Sequence, residues 1–102
     1  MSSGRVKIDI PRERIAEICR RHHIRRLALF GSVLRDDFRP ESDVDILVGF
    51  EPGKTPGLAF FGIEQELSEV LGRQVDLKTP QELSKYFRDE VLAEAEEVFV
   101  AA

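Results

Sequence analysis

The run Arg26-Leu27-Ala28-Leu29-Phe30-Gly31-Ser32, followed by Ser42-Asp43-Val44-Asp45-Ile46-Leu47-Val48-Gly49-Phe50, decides how this chain folds. Residues 26–30 form a short apolar run that stops at Gly-Ser, the pattern of a buried strand entering a turn. A short helical turn over 33–36 and a polar loop over 37–42 lead to residues 43–50, whose β-branched and apolar content predicts a second strand. On the N-terminal side, Pro11 and the spacing of Ile15, Ile18, Cys19 and His22 predict a helix over 11–23. On the C-terminal side, Phe60, Ile63, Leu67, Val70 and Leu71 mark an amphipathic helix over 57–71, with Gly72 placed to end it. Residues 74–78 read as a third strand. Thr79-Pro80-Gln81-Glu82 then combines an N-cap, a proline for the first turn and a capping-box glutamate. A helix is expected from there to about residue 96, with Leu83, Phe87, Val91 and Ala95 inward, and Val98-Phe99-Val100 as a possible last strand. This order predicts an α/β (α+β) fold in which a small mixed β-sheet of three to four strands is flanked by helices.

The chain has 102 residues, 42% hydrophobic and 33% charged, enough for one modest core and too apolar for disorder. A single domain over residues 1–102 is expected, with no repeat or linker. The formal charge of −4 argues against a protein whose main task is coating nucleic acid. That average hides a split: residues 1–35 carry a net +6, and residues 36–102 a net −10. A lone cysteine, Cys19, allows no intrachain disulfide and no zinc cluster. No stretch reaches the roughly 18 apolar residues that span a bilayer, and the start lacks a signal-peptide pattern. A soluble protein of the reducing cytoplasm, without membrane contact, is expected.

Three features carry chemistry. Asp43 and Asp45, two apart on a strand, share one face about 7 Å apart along the backbone. Aspartate is poorly suited to strands, so two adjacent like charges call for a compensator, and a hard divalent cation such as Mg²⁺ is the natural one. The alternative is a frayed strand start in solvent. Gly31-Ser32 lets the backbone approach a ligand closely, and the amides and hydroxyl that follow suit phosphate. Asp76, flanked by Val75 and Leu77, is costly to bury without a partner. If its strand lies beside residues 43–50, the three carboxylates gather around one or two metal ions in a phosphoryl-transfer centre, with Asp76 as ligand, general base or both. An edge aspartate in solvent is the other reading.

Gly31-Ser32-Val33-Leu34-Arg35 followed by Ser42-Asp43-Val44-Asp45-Ile46-Leu47-Val48 resembles the signature of the nucleotidyltransferase superfamily related to DNA polymerase β. It is most similar to the minimal nucleotidyltransferases, antitoxins of HEPN/minimal-nucleotidyltransferase toxin–antitoxin pairs. The resemblance covers nearly the whole chain and implies a polymerase β-like nucleotidyltransferase fold. It implies that Gly31, Ser32 and Arg35 bind the nucleotide, and that Asp43, Asp45 and Asp76 are the catalytic, metal-binding carboxylates. The cofactor would be Mg²⁺, one or two ions, with ATP as substrate. The implied activity is transfer of AMP to a tyrosine hydroxyl of a cognate HEPN ribonuclease toxin, which silences it. Leu34 and Asp36 stand where the family usually has small Ala and Gly, which opens an alternative, an antitoxin that acts by binding alone with a vestigial site. Transfer to a small molecule is disfavoured, because such enzymes generally need a further domain to hold the acceptor.

Other patterns are weaker. Gly53-Lys54-Thr55 mimics the end of a P-loop, but Val48 occupies the place of the required first glycine and Pro56 follows. Arg20, Arg21, His22 and His23 with Arg25 and Arg26 are expected to complement a helix end in solvent rather than bind nucleic acid. Adjacent His22 and His23 face different directions and make a poor metal pair. Cys19 lies on the apolar stripe and reads as core.

Overall fold

A computed structural model describes residues 8–35, 38–39 and 41–101. In chain order it contains α1 (Arg12–Arg21), β1 (Ile24–Phe30), a 3₁₀ turn (Gly31–Leu34), β2 (Val44–Phe50), α2 (Ala59–Leu71), β3 (Val75–Lys78), a 3₁₀ turn (Pro80–Glu82), α3 (Arg88–Glu94) and β4 (Glu96–Val100). The four strands form one mixed sheet in the order β3-β2-β1-β4. β1 is antiparallel to both β2 and β4, whereas β3 runs parallel to β2, with α2 as the crossover that a parallel pair requires.

Alternation along the strands divides the sheet into two faces. Leu27, Leu29, Val44, Ile46, Val48, Val75 and Leu77 pack with Ile15, Ile18 and Cys19 of α1 and Ile63 and Leu67 of α2 in the main core. The opposite face carries a smaller cluster of Phe30, Leu47 and Leu83, with Val91, Leu92 and Ala95 against it. Asp45, Asp76 and Lys78 belong to this second face by the same alternation. The face that α1 and α2 do not cover therefore carries these charged side chains.

Several element boundaries differ from the sequence expectations. α1 stops at Arg21, and His23 takes a left-handed φ of 59° that turns the chain into β1. β1 starts at Ile24 rather than at residue 26, because Ile24 already pairs with Phe50 of β2, ahead of a register shift before Arg26. α2 ends where expected, at Gly72 with φ 67°. Asp43 falls one residue before β2. The ladder to β3 begins at Val44 opposite Val75, so Asp43 has no partner residue and is exposed.

The long helix expected from residue 79 to about 96 is the largest correction. The Glu82 carboxylate does accept from the Thr79 amide at 3.0 Å and from the Thr79 hydroxyl at 3.2 Å. The turn nevertheless ends at Glu82, Leu83 is extended at ψ 144°, and a helix resumes only at Arg88. In this broken arrangement Leu83 reaches Phe30 and Leu47 on the sheet. The Arg88 guanidinium secures the break by donating to the carbonyls of Leu83 at 2.9 Å and Gln81 at 3.4 Å. Phe87, expected inward, is 50% exposed as a result. β4 begins at Glu96, two residues earlier than expected, and pairs with β1.

β3 is an edge strand whose outward amides do not face solvent unpaired. Val75 N–H donates to Ser68 Oγ at 3.1 Å and Leu77 N–H to Glu64 Oε2 at 2.9 Å. Ser68 and Glu64 are four apart on α2, so one helix face caps two successive edge donors. Among the described residues, no helix is long and apolar enough to cross a membrane.

Candidate active site

The ends of β1, β2 and β3 bring three parts of the sequence into one row. Phe30 is the register partner of Asp45, and Asp45 is the register partner of Asp76. Gly31, directly after Phe30, has φ 77°, and a Cβ placed on it would collide with the Asp45 carboxylate. Glycine is thus required twice at this position, for the left-handed backbone and for the close approach. Ser32 follows, half-buried, in a turn closed by the Arg35 amide donating to the Ser32 carbonyl at 2.9 Å.

Electrostatics mark Asp45 as the centre of the row. Partial burial pushes its carboxyl above the ordinary range, and the charges of Asp76 and Asp43 push it further, while Lys78 and Arg35 oppose. Asp76 is instead held by the Lys78 ammonium, 2.8 Å from its Oδ2. That hydrogen bond raises the Lys78 pKa against the opposing effect of burial, and the charges of Asp76, Asp45 and Glu82 add to it.

Of the residues singled out from sequence, Gly31, Ser32, Asp45 and Asp76 share this end of the sheet. Asp43 stands one residue before β2 with its charge felt at Asp45, and Arg35 closes the turn with its charge felt there too. The side chain of Leu34, one of two departures from the family pattern, packs against the main core. The other, Asp36, lies outside the described residues. Among the described residues no three Asp, Glu, His or Cys side chains form a ready-made metal cage. Mg²⁺ rarely uses one: it binds through one or two carboxylates and completes its shell with water and substrate phosphate. Hard oxygen donors of like charge brought together on adjacent strands fit such an ion, and Asp45 is raised first by burial and then by the charges of Asp76 and Asp43.

Sequence reasoning missed Lys78 as the partner of Asp76. Its signal was present, an opposite charge two residues along the same strand and hence on the same face. Lys54 lies in an exposed turn, its amide donating to Glu51 O at 2.9 Å. His22 Nε2 and Arg21 Nη1 each sit 2.7 Å from the Glu66 carboxylate, and Arg26 pairs with Glu97, so much of the basic segment already has acidic partners. Cys19 is fully buried.

Residues 12–98 match the sequence model of the nucleotidyltransferase domain. The chain belongs to that family. It is 37% identical over 93 residues to a Methanocaldococcus jannaschii protein provisionally named protein adenylyltransferase MJ0435, covering 91% of this chain and 99% of the relative. Among solved structures it is similar to one described provisionally as a minimal nucleotidyltransferase, with 39% identity, a TM-score of 0.68 and coverage of 82% of this chain and 85% of the other. The fold also matches a complex of a minimal-nucleotidyltransferase antitoxin with tri-AMPylated Shewanella oneidensis HEPN toxin. There the TM-score is 0.62 at 22% identity, over 88% of this chain and 70% of the other.

Proposed function

We propose that this chain is a single nucleotidyltransferase domain that transfers AMP from ATP to a tyrosine hydroxyl of a cognate HEPN toxin, and so acts as its antitoxin in the cytoplasm. The observation that carries the reading is the pairing of Asp45 with Asp76 across adjacent strands while the Gly31 backbone lies against Asp45. The names of its relatives point the same way.

Gly31, Ser32 and Arg35 would hold the triphosphate at the end of β1, and Asp43, Asp45 and Asp76 would hold the Mg²⁺, which would supply neutralisation of phosphate charge and a lowered pKa for the attacking hydroxyl. Attack and departure are in line, so an acceptor enters opposite the leaving pyrophosphate. With the phosphate turn on the β1 side, the acceptor side is β3. An open cleft of about 480 Å³ begins there at Asp76 and is lined by Phe60, Phe61, Glu64, Leu77 and Glu82. A bond forms between the tyrosine oxygen and the α-phosphorus, the bridging α–β P–O bond breaks, pyrophosphate leaves, and Asp76 accepts the phenolic proton. An open cleft suits an acceptor carried on another protein.

Incubation with labelled ATP, Mg²⁺ and the toxin encoded beside this chain is expected to label a toxin tyrosine. Asp43→Asn with Asp45→Asn is expected to abolish the label, and equal labelling by that double variant would sink the mechanism. Full protection of cells by the unlabelling variant would instead favour neutralisation by contact alone.

A further inference from the structure

Lys78 is not explained by the fold. It lies on an edge strand, where a lysine ordinarily extends into water, yet its side chain is only 34% exposed and its ammonium sits 2.8 Å from Asp76 Oδ2. The two residues are two apart on β3 and point to the same face, and their register partners on β2 are Asp45 and Leu47. The Lys78 stem therefore starts beside apolar Leu47 and its head turns back toward the carboxylates. An ammonium is a compact cation with three donors, the nearest side-chain equivalent of a small hard metal ion.

We propose that Lys78 is a built-in stand-in for the metal at Asp76, occupying that carboxylate until a nucleotide arrives with its own divalent ion. The inference rests on the metal-binding reading above and adds a coupling to it. A metal ion arriving alone must displace the ammonium from its hydrogen bond to Asp76 and leave it only the longer-range attraction of Glu82. An ion arriving with a triphosphate displaces it in the presence of a new anionic partner. Metal and nucleotide then bind cooperatively, and the coupling is reciprocal. The domain thereby avoids filling its site with metal alone.

The test uses Mn²⁺ as probe, titrated at fixed ionic strength and followed by electron paramagnetic resonance, with and without a non-hydrolysable ATP analogue. Lys78→Met is expected to tighten Mn²⁺ binding without nucleotide by about two- to fivefold, the range of a partly exposed ion pair. Lys78→Arg should behave as the parent, and Lys78→Gln repeats the measurement if methionine perturbs folding. On an Asp76→Asn background, removing Lys78 should give no tightening. The gain in Mn²⁺ affinity on adding the analogue should shrink in Lys78→Met by the same factor. Unchanged or weaker Mn²⁺ binding in both Lys78→Met and Lys78→Gln overturns the proposal and leaves the metal reading standing. Equal tightening on the Asp76→Asn background also overturns it, because that result marks a general charge effect. Absence of Mn²⁺ binding in every variant, with the analogue present, overturns the metal reading and the proposal together.

Discussion

Gly31 and Asp45 set the requirements of the site at the scale of single residues, because each restricts the other. A methyl group at residue 31 meets the Asp45 carboxylate and strains a φ of 77°. Gly31→Ala is expected to lower stability by about 1–2 kcal/mol in urea denaturation and to cut AMP transfer at least tenfold. Asp45 follows the opposite logic, since its charged form is disfavoured by burial and by Asp76 and Asp43. A native pKa raised above the unfolded value means that ionisation costs the folded state. The cost is absent below the unfolded pKa and complete above the native one. Asp45→Asn in the presence of a chelator is therefore expected to raise the urea midpoint near neutral pH, with the gain fading as pH falls through the carboxylate range. The same variant should lose AMP transfer, so a site residue that gains stability on removal marks function rather than packing. Gly31, Ser32 and both strand aspartates were legible from residue type and spacing. The Lys78–Asp76 ion pair was not singled out, although its i, i+2 charge pattern was there to read.

At the scale of elements, local signals and tertiary demands agree for β1, β2 and α2 and part company after Thr79. The start signals at Thr79, Pro80 and Glu82 do form a capping box, but they specify only a first turn. Beyond that turn Leu83 is extended and packs with Phe30 and Leu47 on the sheet, a long-range contact that no local signal encodes. The caps on β3 are also tertiary in origin. Ser68→Ala removes the acceptor of the Val75 amide, and Glu64→Ala removes that of Leu77. Each is expected to cost about 1–2 kcal/mol and to speed hydrogen exchange at its own amide first. The double variant, with two edge donors freed, should also self-associate on size-exclusion chromatography.

At the scale of the whole molecule, α1 and α2 close over one face of the sheet and bury Cys19 completely. Burial pushes its thiol up to about 12, with the Arg20 charge opposing, so native protein holds almost no thiolate. Thiol reagents are expected to label Cys19 only at the rate of global unfolding, and labelling in fast local openings would show α1 to be less firmly docked. The charge split acquires a place at this scale. Arg35, which closes the basic segment, and the aspartates of the acidic one act on the same carboxylate, Asp45.

The sequence by itself determined the strand–turn–strand unit, the alternation of elements, the glycine turn and the aspartates, because these follow from residue type and from periods of two and 3.6. Only the tertiary structure decided that β3 lies parallel beside β2 with Asp76 opposite Asp45, that Asp43 stands outside the ladder, and that Lys78 turns back onto Asp76. Strand order and register are set by which apolar faces can be buried together, and that sum over α1, α2 and four strands is not contained in any single window of sequence.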